Sequence, residues 1–144
     1  MAGPRAGRRH RMQSNGMIKG IGTDIVEVGR IERESARLGP EFLGRLFTPG
    51  EIEYCEQKRR RFESYAARFA AKEAFLKALG TGGRDGISWQ DIEVARDARG
   101  RPELVLRGQA EALARERGVS KVFVSLSHSR EFATAVTILE GNGE

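Results

Sequence analysis

The chain has 144 residues, of which 39% are hydrophobic and 31% charged, with a formal net charge of +5. These totals fit one globular domain with its own core, are too small for two ordinary domains, and hold no apolar run long enough to cross a bilayer. Cys55 is the only cysteine, which excludes an internal disulfide framework and a cysteine-rich zinc site and points to a reducing compartment, the cytoplasm.

The positive charge is concentrated at one end. Arg5, Arg8, Arg9 and Arg11 stand in a stretch that also holds His10, Gly3, Pro4, Gly7 and Gly16 and almost nothing apolar. Residues 1–16 are therefore expected to be a disordered basic leader: a native tail, an appended tag or a start assigned ahead of Met17. Residues 17–144 are expected to form the functional domain.

From Met17 onward, Ile18-Lys19-Gly20-Ile21-Gly22-Thr23-Asp24-Ile25-Val26-Glu27-Val28 is rich in β-branched residues and reads as a strand, too apolar on both faces for a surface position. Residues 30–38 have helical composition and stop at Gly39-Pro40. Thr48-Pro49-Gly50-Glu51 places a capping threonine three residues before a glutamate, with proline at the first helical position, so a helix is expected over 49–58. The basic run Lys58-Arg59-Arg60-Arg61 reads as a solvated joint. The longest helical signal covers 62–79 and ends at Gly80-Thr81-Gly82-Gly83. Residues 91–96 and 103–107 read as strands around the turn Asp97-Ala98-Arg99-Gly100, and 109–117 as a helix closed by Gly118. A second strand pair is expected at 121–127 and 133–139. The order β-α-α-α-β-β-α-β-β predicts an α+β domain with a mainly antiparallel sheet and a long central helix. Trp89, Phe123 and Phe132 are assigned to its core.

Several charged residues break these patterns. At about 100° per residue, Phe62, Tyr65, Ala66, Phe69 and Leu76 share one line along the central helix, and Glu73 falls on it too. A carboxylate on an apolar stripe needs a buried ion pair or a bound cation. Lys77, one turn later, is an ordinary helix-stabilising partner for it. Asp24 raises the same question in the first strand, where aspartate is disfavoured. If strand and helix pack together, the two carboxylates suit a shared magnesium ion bridging a phosphate. Gly20 and Gly22 read either as places where a ligand approaches the backbone or as a bulge. The Gly80 to Gly83 loop reads as a helix cap or, with Lys77 or Arg84, as a phosphate nest. His128, at a strand end beside Ser127, is structural or catalytic. Arg30, Arg33 and Arg37 line one side of the first helix, with Arg45 beyond, as a solvated face or a docking surface. A nucleic-acid-binding module would account for the basic pI but not for the two carboxylates, and the arginines lack interleaved aromatics, so nucleic acid is not the expected partner.

Four separated motifs resemble the small stand-alone holo-acyl carrier protein synthases of the phosphopantetheinyl transferase superfamily. They are Gly20-Ile21-Gly22-Thr23-Asp24-Ile25 leading to Arg30-Ile31; Phe47-Thr48 followed by Glu51; Arg68-Phe69-Ala70-Ala71-Lys72-Glu73-Ala74-Phe75 continuing to Lys77-Ala78-Leu79-Gly80-Thr81-Gly82; and Ser125-Leu126-Ser127-His128. The resemblance covers nearly everything from Met17 to Leu139. The basic leader departs from the family pattern, as does Ser129, where some members carry an acidic residue. By that resemblance Asp24 and Glu73 are magnesium ligands that hold the coenzyme A pyrophosphate, and Lys77 lies near the transferred phosphate. Arg68, Lys77, Gly80, Thr81, Gly82, Ser127 and His128 belong to the coenzyme A site, and Arg30, Arg33, Arg37 and Arg45 dock an acidic apo-acyl carrier protein. Asp24, Glu73 and Lys77 form the catalytic set, with Glu73 or a water on the metal relieving the carrier serine of its proton. The resemblance also implies a homotrimer whose sites form between subunits and a role in fatty acid biosynthesis; the same chemistry would permit service to polyketide or peptide carriers.

Overall fold

The computed structural model describes residues 16–143; apart from Gly16, the expected leader lies outside the described residues. In chain order the elements are β1 (Met17–Glu27), α1 (Val28–Leu38), α2 (Glu41–Leu46), α3 (Pro49–Glu56), α4 (Arg61–Leu79), a 3-10 turn (Trp89–Asp91), β2 (Ile92–Arg96), β3 (Pro102–Leu106), α5 (Gly108–Glu116), β4 (Val119–His128) and β5 (Phe132–Gly141). The α+β class, the antiparallel pairing and the long helix are those expected. The addition is α2, six residues with no buried side chain and no capping side chain, too short and too exposed to leave a periodic signal.

The strands form a three-stranded antiparallel sheet, β1-β5-β4, and a separate hairpin, β2-β3. Helix α4 lies on the inner face of the larger sheet, where small residues allow close approach. Ala66, Ala67, Ala70, Ala71 and Ala74 of the helix cluster with Ala133 and Ala135 of β5. On β1 the contact is closer still: a Cβ on Gly22 would lie 2.1 Å from the carbonyl oxygen of Ala74, and one on Gly20 2.1 Å from that of Ala78. The backbone that approaches these glycines belongs to α4 and not to a ligand, and a register irregularity between Ile18 and Gly20 accompanies them.

Helix α3 begins with the expected capping box: Thr48 Oγ1 accepts from Glu51 N, and Glu51 Oε1 accepts from Thr48 N. Glu51 does more than cap. It is buried and pairs at 2.7 Å with Lys72, which is equally inaccessible, in the middle of α4. Every charge-bearing atom of the pair has further partners. Lys72 Nζ also donates to Leu46 O at 2.8 Å and Trp89 O at 3.0 Å, while Glu51 Oε2 accepts from Val94 N at 2.7 Å. Burial lowers the pKa of Lys72, and the charge and hydrogen bond of Glu51 oppose that shift. One ammonium group thus ties α4 to α2, α3, the 3-10 turn and, through Glu51, β2. Breaking a buried pair by removing one partner costs about 3–5 kcal/mol.

Among the described residues the outer face of the larger sheet is partly exposed. Phe123 and Phe132, expected in the core, are 50% and 45% exposed, and Ile21 and Ile25 are 64% and 62% exposed. Strand alternation explains the error, because Phe123 points outward between the inward-leaning Val122 and Val124. The register then lines up Ile21, Ile138 and Phe123 as one apolar row across three strands. Trp89 is partly buried, its ring 5.1 Å from that of Phe69. Among the described residues no helix is long and apolar enough to cross a membrane.

Candidate active site

The close contact of Gly22 with α4 sets the position of Asp24, which follows two residues later on the same inward face of β1. Its side chain is 16% exposed, and Lys77 Nζ lies 3.0 Å from its Oδ1 and 3.1 Å from Thr23 O. Glu73 is half-buried one helical turn before Lys77. Its pKa is raised, first by burial and then by the negative charge of Asp24, against the opposing charges of Lys77, Arg30 and Arg84. Two carboxylates more than forty residues apart in sequence are thereby close enough to repel each other. No third carboxylate, histidine or cysteine joins them in a metal-binding group among the described residues. A pair of hard oxygen donors that already draws an ammonium group fits magnesium, which commonly takes one or two carboxylates and completes its shell with water and phosphate oxygens.

The raised pKa has a consequence for stability. The folded chain holds the Glu73 proton more tightly than the unfolded chain, so that contribution is full below the ordinary glutamate pKa and is lost as pH rises through the raised folded value. A divalent cation bound by ionised Glu73 would offset the loss. Magnesium is therefore expected to raise the thermal midpoint more at neutral pH than at a pH below that window, and Glu73→Gln should remove most of the effect. Thermal unfolding at the two pH values with magnesium titrated in checks this. An equal shift in wild type and variant would dismiss Glu73 as a ligand.

Beyond Lys77 the helix ends at Gly80, whose φ of 77° is left-handed and whose N–H donates to Leu76 O and Lys77 O. Gly80 is thus a cap, with its N–H already engaged. Thr81 and Gly82 line a cavity of about 340 Å³ together with Glu73, Lys77, Arg84 and Trp89. Arg68 and His128 lie elsewhere. They line a second cavity, of about 450 Å³, with Lys58, Arg59, Arg60 and Arg96. Arg68 is 4% exposed, and its Nε has no hydrogen-bond partner. His128 Nδ1 lies 2.9 Å from Glu63 Oε1. Ser127, on the outward side of β4, lines neither cavity. The residues expected at one coenzyme A site are thus divided between two places on the chain.

The basic joint after α3, expected to be solvated, turns three of its four cations to this second cavity. The run itself was the only signal in the sequence, and its partners, Arg68, Arg96 and His128, come from distant elements. Arg30, Arg33, Arg37 and Arg45 are all exposed. Arg33 pairs with Glu27 at 3.4 Å, Arg37 with Glu34 at 2.5 Å and Arg45 with Glu41 at 3.9 Å. Arg30 is the one whose charge is felt at Glu73.

Residues 20–137 match the family described as the 4′-phosphopantetheinyl transferase superfamily, so the fold is that of a phosphopantetheinyl transferase. Over 124 residues the chain is 52% identical to the holo-[acyl-carrier-protein] synthase of Geobacter sp. (strain M21), covering 86% of this chain and 99% of that protein. The crystal structure of the Neisseria meningitidis holo-[acyl-carrier-protein] synthase superposes with a TM-score of 0.77 at 41% identity, covering 85% and 98% of the two chains. That of the Bacillus anthracis str. Ames synthase in complex with CoA (3′,5′-ADP) superposes with a TM-score of 0.70 at 40% identity, covering 88% and 99%. The chain belongs to the small stand-alone holo-[acyl-carrier-protein] synthases of this superfamily.

Proposed function

We propose the following division of labour for an enzyme that transfers the 4′-phosphopantetheine arm of coenzyme A to a serine of apo-acyl carrier protein, releasing adenosine 3′,5′-bisphosphate. The observation that carries it is the meeting of Asp24, Glu73 and Lys77 beside the cavity walled by Thr81 and Gly82. Asp24 and Glu73 would hold magnesium, which when bound supplies charge neutralisation for the pyrophosphate. The carrier serine Oγ forms a bond to the β-phosphorus as the bond from that phosphorus to the oxygen of the departing bisphosphate breaks. Glu73, half-buried beside Asp24 and one turn from Lys77, is placed as acceptor of the serine proton. The ammonium of Lys77 neutralises charge that develops on the phosphate. Arg68 and His128, with the basic joint, receive a phosphate of the nucleotide half in the second cavity.

The active assembly in this proposal is a homotrimer of domains spanning residues 17–144. Two observations support it. The expected coenzyme A residues occupy two cavities of one chain, and the Ile21, Ile138, Phe123 row leaves an apolar sheet face that cyclic association can cover. The role assigned is supply of holo-carrier for fatty acid synthesis in the cytoplasm, a location supported by the single, buried Cys55.

The carrier is placed on the α1 face, where Arg30 leads toward Glu73. The exposed pairs of Arg33 and Arg37 are screened by water and can be exchanged for carboxylates of a partner. Reversing Arg30, Arg33 and Arg37 to glutamate is expected to raise the KM for the carrier at least about tenfold while changing that for coenzyme A far less. Steady-state kinetics with each substrate varied in turn checks this. An equal rise for both would return these arginines to the solvated surface.

A further inference from the structure

The cavity beside His128 is organised around an aromatic ring to which the reaction assigns no part. Tyr54, on α3, carries three cations about its ring: Arg68 Cζ at 4.3 Å from the centroid, Lys58 Nζ at 4.5 Å and Arg96 Cζ at 5.0 Å. They arrive from the middle of α4, the joint after α3 and the end of β2. Like charges gathered this closely separate unless something attracts each of them. Among the described residues no carboxylate pairs with any of the three. Glu63, the one acid lining the cavity, is engaged by His128 and Arg60. The common attraction is the negative face of the Tyr54 ring. It collects the cations without neutralising them, so the wall keeps its charge for a ligand, and the buried Arg68 keeps an unpartnered Nε.

We propose that Tyr54 is a positioning residue for substrate phosphate, its ring holding Lys58, Arg68 and Arg96 together as the cation wall that receives the dianion. This rests on the assignment of the second cavity to the nucleotide half of coenzyme A. A carboxylate at the same place would also gather the cations, but it would cancel the charge that the phosphate must meet. Titration of the phenol offers an independent view of the arrangement. Burial pushes the Tyr54 phenol up, but the hydrogen bond with Lys58 and the charges of Arg68, Arg96 and Lys58 bring it below the ordinary tyrosine value. The other tyrosine of the chain, Tyr65, is pushed up by burial and by its hydrogen bond to Glu56. The two phenols therefore titrate apart, and the first step belongs to Tyr54.

The experiment uses the full chain and adenosine 3′,5′-bisphosphate, with binding followed by calorimetry. Tyr54→Leu is expected to weaken binding about tenfold, and Tyr54→Phe, which keeps the ring face, to stay within about twofold of wild type. In the transfer assay Tyr54→Leu should raise the KM for coenzyme A while kcat and the KM for the carrier stay near wild type, a split that general loosening of the fold would not produce. Arg68→Gln is the control for the underlying assignment. If Arg68→Gln binds the bisphosphate as wild type does, the cavity is not the phosphate site and the assignment fails. If Arg68→Gln weakens binding and Tyr54→Leu does not, Tyr54 positions nothing. Should Tyr54→Leu fail to fold, the wild-type chain decides. Saturating bisphosphate neutralises the wall and should move the first step of tyrosinate absorbance to higher pH, and an unmoved step overturns the proposal.

Discussion

Replacing either Asp24 or Glu73 by alanine is expected to lower the transfer rate by at least about 100-fold while leaving the chain folded. The fold has little to lose at either position. Glu73 is half-buried next to a like charge, so its ionised form opposes folding, and Asp24 offers its carboxylate to the exposed ammonium of Lys77 rather than to the core. The substrate has much to lose. A coenzyme A pyrophosphate brought to this place would meet two carboxylates as well as Lys77 and Arg84, and a magnesium ion held by the carboxylates would offset their repulsion. Chelation should therefore reproduce both variants, and added magnesium should restore wild type but neither alanine chain. Rate measurements over a magnesium series, with circular dichroism to verify folding, decide the matter. A variant with near-normal activity at low magnesium would lose its assignment as a ligand.

Mixing two inactive chains is expected to regain activity. Asp24→Ala removes one half of the proposed site and His128→Ala the other, and on one chain these halves belong to separate cavities. If the halves meet across a cyclic interface, random assortment of equal amounts leaves about a quarter of the sites with both halves intact. Each variant must be impaired alone, and subunits must be allowed to exchange before assay. Removing residues 1–16 should change neither assembly nor rate, because the apolar face available for association lies on β1, β4 and β5. Light scattering on the same samples reports the assembly. A fully active monomer would sink the shared site and require every binding group to come from one chain.

The outer sheet face shows why burial was harder to read than secondary structure. The apolar content of β1 lies on both of its faces and argues against a surface strand. One face meets α4 through Gly20, Gly22 and Val26, while the other, with Ile21 and Ile25, is largely exposed among the described residues. A strand's sequence states that two faces avoid water, not whether the second is covered by its own chain. Phe123 and Phe132 were misplaced for the same reason.

Local chemistry was legible wherever it acts within a few residues. The Thr48 to Glu51 capping box, the glycine stop at Gly80 and the turn after Asp97 depend on neighbours in sequence, and all three form as read. So do the long helix and the antiparallel pairs, whose periods of 3.6 and 2 are written in the side chains. Asp24 and Glu73 were also identifiable one at a time, because each is a charge where its element calls for an apolar residue. Their adjacency was not, since it depends on how closely α4 approaches β1, a distance set by what Gly22 lacks. Glu51 is legible in the sequence only as a cap, and Lys72 carries no signal of its own, because a buried ion pair between separate helices leaves no periodic trace. The second cavity was hidden likewise, its cations drawn from α3, α4 and β2 around Tyr54. The elements, and the residues that do not suit them, are written along the chain. Which of those residues meet follows from how the elements pack, because their attractions and repulsions act over a few ångströms of space.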